Sequence, residues 1–364
     1  MNFRSALRGL SLVVLALSMP AAAQDKGGLD ETGPYDVVAG WFKPGIEGFD
    51  QRAVAVNAED PNRVFVGFVD RNDTRAGHPL LSADGKVVGK TVVVKDEKNL
   101  AKGDVNNILV LNADGKVIEN WSQWNEEISI PHHIVIDPYD PEHHVWVVDR
   151  FNHRILKFTN DGKKLVMKIG EKGVRGTDQN HFSDPASVNF LPDGTFYVAD
   201  GYTNSRVVKF DKNGKYLTAW GTKGSGPSQF NLVHSVGIDA NRRLYVADRV
   251  NNRIQIFDEN GKFLDQWPNV RSVTRVVATE DGGVWVAAAG YNRFAKYDTN
   301  GKLLTYWGIF GDEPGLMDNP HQYDVDNAGN LYVADANNNR VQKFVPKKNA
   351  DKTRLMGQEV KLKK

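Results

Sequence analysis

Residues Tyr197–Gly221 read YVADGYTNSRVVKFDKNGKYLTAWG. A short apolar run ends in Asp200; then come a polar turn, an alternating segment, an Asn-Gly step and a last segment closing on Trp-Gly. Close copies start at Trp146 (WVVDRFNHRILKFTNDGKKLVMKIG), Tyr245 (YVADRVNNRIQIFDENGKFLDQWP) and Trp285 (WVAAAGYNRFAKYDTNGKLLTYWG). A shorter copy starts at Tyr332, and a degenerate one starts at Phe65 (FVGFVDRN) and resumes at Ile108 (ILVLNADGKVIENW). Alternation with a period of two marks strands, and Asn-Gly between such runs marks tight hairpins. Six such units, each of about 40–50 residues, predict an all-β, six-bladed β-propeller with one small sheet per blade. In the Tyr197 unit, strands a to d are expected at 187–191, 197–200, 206–211 and 216–221.

The sixth unit lacks strand d, whereas DVVAGWFK (Asp36–Lys43) looks like one and precedes the first unit. The N-terminal strand is therefore expected to complete the final blade and close the ring, which removes open strand edges. Ahead of it, Arg4 and Arg8 precede the apolar run Leu10–Leu17 and then Ala21-Ala22-Ala23, the pattern of a secretory signal peptide over residues 1–23. Residues 24–35 read as a linker, 36–346 as the propeller and 347–364 as a basic, solvated tail. The 364 residues include no Cys, which excludes disulfides, thiol nucleophiles and thiolate metal sites. Export without disulfides fits a periplasmic or secreted protein. Without Arg4 and Arg8 the chain carries 44 basic against 45 acidic residues, which gives no electrostatic basis for nucleic-acid binding. The expected form is a monomer without a membrane span, acting on a small molecule or peptide.

Neighbouring strands of a blade run in opposite directions, so the start of strand a and the loop after strand b share one face near the axis. Counting eleven residues back from the start of strand b, with three more for the longer turn before Trp146, gives Val54, His132, Ala186, His234, Thr274 and His321. Histidine holds every second blade, so the three converge as a tripod. Three neutral imidazoles on rigid strands make an open site for Zn²⁺, although three His alone leave iron or a softer metal open. The other histidines rank lower. His133 points away from the axis if alternation is strict. His143 and His144 read as solvated, His153 lies in a polar turn, and His78 and His181 lie in loops. Tyr202 and Arg71 follow strand b in their blades and so sit on the tripod's face; Arg75 competes with Arg71. Arg154, Arg206, Arg253, Arg293 and Arg340 recur in nearly every blade, which points to a structural role with Asp149, Asp200, Asp248 and Asp335. The insert 72–107 and the loops 176–182 and 308–320 are expected to rim the channel mouth.

The five later units resemble NHL repeats. PHHIVID, GTDQNHFSDP, ADGYTNSR, SQFNLVHS and NPHQYDVD together resemble the lyase domain of the peptidylglycine α-amidating enzymes, the peptidyl-α-hydroxyglycine α-amidating lyase family. The resemblance implies catalytic Zn²⁺ on His132, His234 and His321, with Tyr202 and Arg71 as catalytic residues. It implies cleavage of the N–C bond of a peptidyl-α-hydroxyglycine to peptide amide and glyoxylate, the metal acting as Lewis acid and Tyr202 taking the hydroxyl proton. A free phenol titrates near ~10, so such a base needs a cationic neighbour. A structural Ca²⁺ is also implied, on the carbonyls of Val54 and Ile134 and on an Asp whose place is taken here by Gln322, a weaker ligand. Where the family has two Cys, this chain has Ser183 and Thr203. The rival readings are a non-catalytic NHL propeller that binds a periplasmic peptide or glycan, and a lactone-type enzyme. The latter would carry acidic channel residues with Ca²⁺ rather than His.

Overall fold

The computed structural model describes residues 31–42, 49–70 and 108–363. The expected signal peptide, Arg71, Arg75, His78 and the insert 72–107 lie outside the described residues. Six four-stranded antiparallel sheets make up the architecture. Blade 1 is Phe49–Asn57, Asp60–Asp70, Ile108–Leu111 and Val117–Asn120; blade 2 is Pro131–Ile136, Val145–Asp149, Arg154–Phe158 and Leu165–Ile169. Blade 3 is Ser187–Phe190, Phe196–Asp200, Arg206–Phe210 and Tyr216–Trp220; blade 4 is Val233–Ile238, Leu244–Asp248, Arg253–Phe257 and Phe263–Pro268. Blade 5 is Val273–Ala278, Val284–Ala288, Arg293–Tyr297 and Leu303–Trp307. Blade 6 is Pro320–Val325, Leu331–Asp335 and Arg340–Pro346, with Tyr35–Val37 as its outer strand, Asp36 opposite Val345. That strand is shorter than the stretch 36–43 because the chain turns at Gly40 (φ 66°) and sends Trp41 inward onto Tyr332, their rings 5.3 Å apart. Strand a of each blade touches strand a of the blades on either side, and blade 6 returns to blade 1, so the a strands surround the channel.

Aromatic side chains fill the space between blades. Trp146 of blade 2 lies 5.1 and 5.0 Å from Phe190 and Phe196 of blade 3, and Trp220 of blade 3 lies 5.9 Å from Phe257 of blade 4. Each such pair contributes about 0.5–1.5 kcal/mol beyond its area burial. The Asn-Gly turns have a second use here. A Cβ at Gly261 would fall 2.5 Å from Trp220 of the previous blade, and one at Gly301 2.5 Å from Trp267; both glycines also have positive φ. The turn glycine of one blade is thus the floor on which the preceding blade's tryptophan rests.

The C-terminal tail departs from the solvated segment that its basic composition suggests. It runs back across the face opposite the b–c loops. Met356 is buried and its N–H donates to Tyr35 Oη at 2.8 Å. Gln358 donates to Val325 O, Val360 N to Ala278 O, and Leu362 N to Tyr139 Oη. Asn189 donates to Glu359 Oε1 at 2.8 Å. Blades 2, 3, 5 and 6 are all tied by this one segment. Its residues Gly357–Glu359 line the lower mouth of the channel with Asp324, Tyr323 and Arg275. Met356→Ala is expected to cost about 2–4 kcal/mol by loss of packing, read as a lowered midpoint in urea.

Asp324 sits half-buried at that mouth, accepting from Val56 N at 2.9 Å, and desolvation pushes its carboxyl up to about 6. In the unfolded chain it titrates near ~3.9. The folded state therefore holds the proton more tightly; this stability is full below about pH 4 and is lost as pH rises through about 6. Asp324→Asn keeps an acceptor for Val56. It is expected to leave stability near pH ~4 unchanged and to raise it by up to about 2–3 kcal/mol near pH ~7.5, read by denaturation at both values.

Candidate metal centre

Each tripod histidine enters the channel at a β-bulge. Pairing between strands a and b skips one residue between Pro131 and His133, between Val233 and Ser235, and between Pro320 and Gln322. The skipped residues are His132, His234 and His321. A bulge re-aims its side chain and bends the strand, and here it lets two consecutive residues face the channel, so that His132 and His133 both line it. Strict alternation mis-places His133 for this reason. In blade 1 the skip falls between Gln51 and Ala53. The slot there belongs to Arg52 rather than Val54, because the a–b hairpin is two residues longer than the count of eleven assumed. Val54 itself packs in the core with Val66 and Leu109. Ile134 is buried against Ala53 and Val147.

The three imidazoles are almost fully buried and their ligand atoms lie within 4.8 Å of one another. Ring centroids are 5.0 Å apart for His132 and His234, 4.7 Å for His132 and His321, and 4.9 Å for His234 and His321. His132 Nδ1 lies 2.8 Å from Ala186 O, and His234 Nδ1 2.7 Å from Thr274 O. A carbonyl can only accept, so each Nδ1 carries the proton and each Nε2 presents a lone pair. Burial, with Arg249 and the other two imidazoles, holds the His234 pKa well below its ordinary value and keeps the ring neutral.

Tyr202 closes the arrangement. Its hydroxyl is 3.0 Å from His132 Nε2 and 3.0 Å from His234 Nε2. The loop that carries it can approach because residue 201 is glycine: a Cβ there would fall 1.8 Å from Val233 O. Tyr202 N donates to Asp184 O, and Thr203 N to Ser183 O at 3.3 Å, so positions 183 and 203 adjoin and are joined by backbone bonds in this Cys-free chain. Two arginines that the sequence reading passed over also reach Tyr202. The Arg150 guanidinium stacks 3.5 Å from the ring centroid, and Arg249 Nη1 is 3.4 Å from the hydroxyl. Both directly follow the Asp ending strand b, as Arg71 does in blade 1; that shared position was the available signal.

Three further histidines are held by hydrogen bonds to neighbouring groups. His144 is buried and bonded to Asp140 at 2.6 Å, not solvated as expected, because the long a–b turn folds back over it. His153 accepts from Asp184 N at 3.1 Å. His181 bonds to Asp178.

Residues 174–266 match the 6-bladed beta-propeller family DUF5128, and residues 318–344 match the NHL repeat. The chain is a six-bladed β-propeller that carries an NHL repeat. This propeller is 29% identical over 280 residues to rat peptidylglycine alpha-amidating monooxygenase, covering 68% of the chain and 26% of that protein. It is 36% identical over 154 residues to a probable peptidyl-alpha-hydroxyglycine alpha-amidating lyase of Caenorhabditis elegans, covering 41% of the chain and 43% of the relative. To mouse NHL repeat-containing protein 3 it is 30% identical over 207 residues, covering 54% and 57%. The propeller therefore spans between a quarter and three fifths of these relatives' length. A streptogramin B lyase structure shares the fold, with a TM-score of 0.50 at 13% identity over 85% of the chain and 96% of that structure.

The donor set of the tripod fits a metal ion. Two Nε2 lone pairs face one phenol, which has a single proton to give, so a cation among the three nitrogens removes a repulsion that hydrogen bonding alone leaves. The residues do not fit Ca²⁺ next to them. Gln322 is neutral, and the space beneath the imidazoles is lined by the Arg275 guanidinium and by no carboxylate among the described residues, whereas Ca²⁺ takes six to eight oxygens, mostly anionic or carbonyl. His321→Ala is expected to reduce bound divalent metal from about one ion per chain to about a tenth of that or less, by elemental analysis, with the far-ultraviolet circular dichroism unchanged.

Proposed function

We propose that this protein is an exported, zinc-dependent carbon–nitrogen lyase. It cleaves a peptidyl-α-hydroxyglycine-like carbinolamide to an amide and glyoxylate. The observation that carries this reading is the Tyr202 hydroxyl held 3.0 Å from two imidazoles of a buried three-histidine cluster. The likeness to relatives named as amidating lyases supports it. The N-terminal signal pattern supports export.

When bound on His132, His234 and His321, Zn²⁺ supplies Lewis-acid polarisation of a substrate oxygen. The protein's own groups do the rest. Tyr202 Oη removes the proton from the carbinol hydroxyl as that oxygen becomes the aldehyde oxygen of glyoxylate. The C–N bond breaks with its electron pair passing to nitrogen, and Tyr202 returns the proton there, giving the neutral amide. Atoms and charge balance with no co-reactant. The base is the Tyr202 phenolate, which becomes phenol on taking the proton and is regenerated when the proton passes to nitrogen; Arg249 and Arg150 set positive charge beside its oxygen and ring and offset that negative charge. Burial of the imidazoles keeps bulk water from competing for the reacting atoms.

Tyr202→Phe is expected to lower kcat by about 10²–10⁴-fold on an N-acyl-α-hydroxyglycine, read as glyoxylate release, with metal content unchanged. Wild-type protein that binds metal yet releases no glyoxylate would sink the reading and leave a binding propeller.

A further inference from the structure

The loop after strand b is one residue longer in blade 3 than in blades 2, 4 and 6. In those three blades the first residue after the strand-b Asp donates its N–H to the carbonyl two residues before the tripod histidine: Arg150 to Ile130, Arg249 to Leu232 and Ala336 to Asn319. In blade 3 the second residue does so, Tyr202 to Asp184. The Asn bonded to each Asp is likewise three residues on at Asn152, Asn251 and Asn338, but four residues on at Asn204. The extra residue is Gly201. A longer loop with a glycine has more conformations open to it, and this one carries the phenol that meets two imidazoles.

Blade 3 also carries an added restraint. Thr203 Oγ1 donates to Asp184 Oδ2 at 2.5 Å, and Arg175 Nη2 lies 3.2 Å from the same oxygen. Asp184 is buried, and its N–H donates to His153 Nδ1 of the blade 2 loop at 3.1 Å. The residues at the Asp184 and Thr203 positions are Ile130 and Phe151 in blade 2, and Leu232 and Val250 in blade 4, whose side chains can form no such bond. In blade 6 they are Asn319 and Asn337, a neutral pair at 3.3 Å. A hydrogen bond to a carboxylate is shorter and about twice as strong as one between neutral groups. Among these four blades the charged version thus occurs where the loop is longest.

We propose that Asp184 and Thr203 form a clamp that fixes the Tyr202 phenol over the tripod, and that both are positioning residues for its proton transfer. Asp184 holds the loop twice, through its carbonyl to Tyr202 N and through its carboxylate to the next side chain. Neither residue touches the imidazoles; each acts through the placement of the phenol. The effect on rate rests on the lyase reading above, whereas the hold on the loop does not.

Thr203 is exposed, so Thr203→Val removes the bond and leaves the core intact. In the metal-loaded protein without substrate, amide hydrogen exchange of the peptide spanning 200–206 is expected to run about tenfold faster in this variant than in wild type, with metal content unchanged. On an N-acyl-α-hydroxyglycine its kcat is expected to fall about 10–100-fold, with KM within about twofold of wild type. Thr203→Ser, which keeps the hydroxyl, should restore both exchange and kcat. Exchange that is the same in Thr203→Val and wild type overturns the clamp. Faster exchange with an undiminished kcat, or an equal loss in Thr203→Ser, overturns the positioning role. Wild-type protein that releases no glyoxylate refutes the lyase reading alone, and the exchange comparison still decides the clamp.

Discussion

The geometry of the channel depends on a buried carboxylate at the end of strand b. Asp149, Asp200, Asp248 and Asp335 are fully buried. One oxygen of each accepts a backbone N–H from the segment entering strand a: Ser129 at 3.0 Å, Ser183 at 2.9 Å, Asn231 at 2.7 Å and Asp318 at 2.7 Å. The other oxygen accepts from an Asn side chain, Asn152, Asn204, Asn251 or Asn338. Arg206, Arg253 and Arg340 bridge the same oxygen to carbonyls of the incoming loop, as at Ser225, Gly226 and Gln229. The clamped amide lies three residues before His132, Ala186, His234 and His321. One polar constraint thus sets the entry point of the inner strand in four blades, and three of those four carry the histidines. Blade 5 has Ala288 in place of the Asp, and its Arg293 instead stacks on Tyr291 and Tyr306.

Given that entry point, the bulge decides what faces the axis. It brings two consecutive side chains of each histidine-bearing inner strand to the channel, and so builds two layers from a strand that alternation would allow only one. The upper layer is imidazole, with His132 and His234 each held through Nδ1 by a carbonyl of the neighbouring blade. The lower layer is mixed: His133, Ser187, Arg275 and Gln322. Blades 2 and 4 also supply the cations that meet Tyr202, which descends from blade 3 between them. A single phenol therefore couples three adjacent blades.

Much of this was legible before any coordinates. The six-fold repeat fixed strand identity, and register then selected the three histidines because strands b are so alike. Tyr202 stood out because other blades have ordinary residues at its place. Val54 failed for a local reason, a hairpin longer by two residues, which turn sequences such as AEDPNR do not announce. His133 failed because a bulge leaves no mark in a run like PHHIVID. Arg150 and Arg249 look like surface residues one blade at a time, and only their convergence on one ring distinguishes them. The C-terminal tail was unreadable from composition: Met356 is its one deeply buried apolar side chain, and most of its hold comes from backbone bonds to blades far away in sequence.

That tail gives the molecule a direction. A ring of blades is in principle a tunnel, open at both ends, but Gly357–Glu359 lie across one end. The interior becomes a blind well, and traffic to the imidazoles must enter and leave past Tyr202. For the lyase proposed above, such a well would take the terminus of a long molecule and not its middle, since a chain cannot thread through. Arrivals and departures share one doorway, so a spent fragment must back out before the next guest can come in.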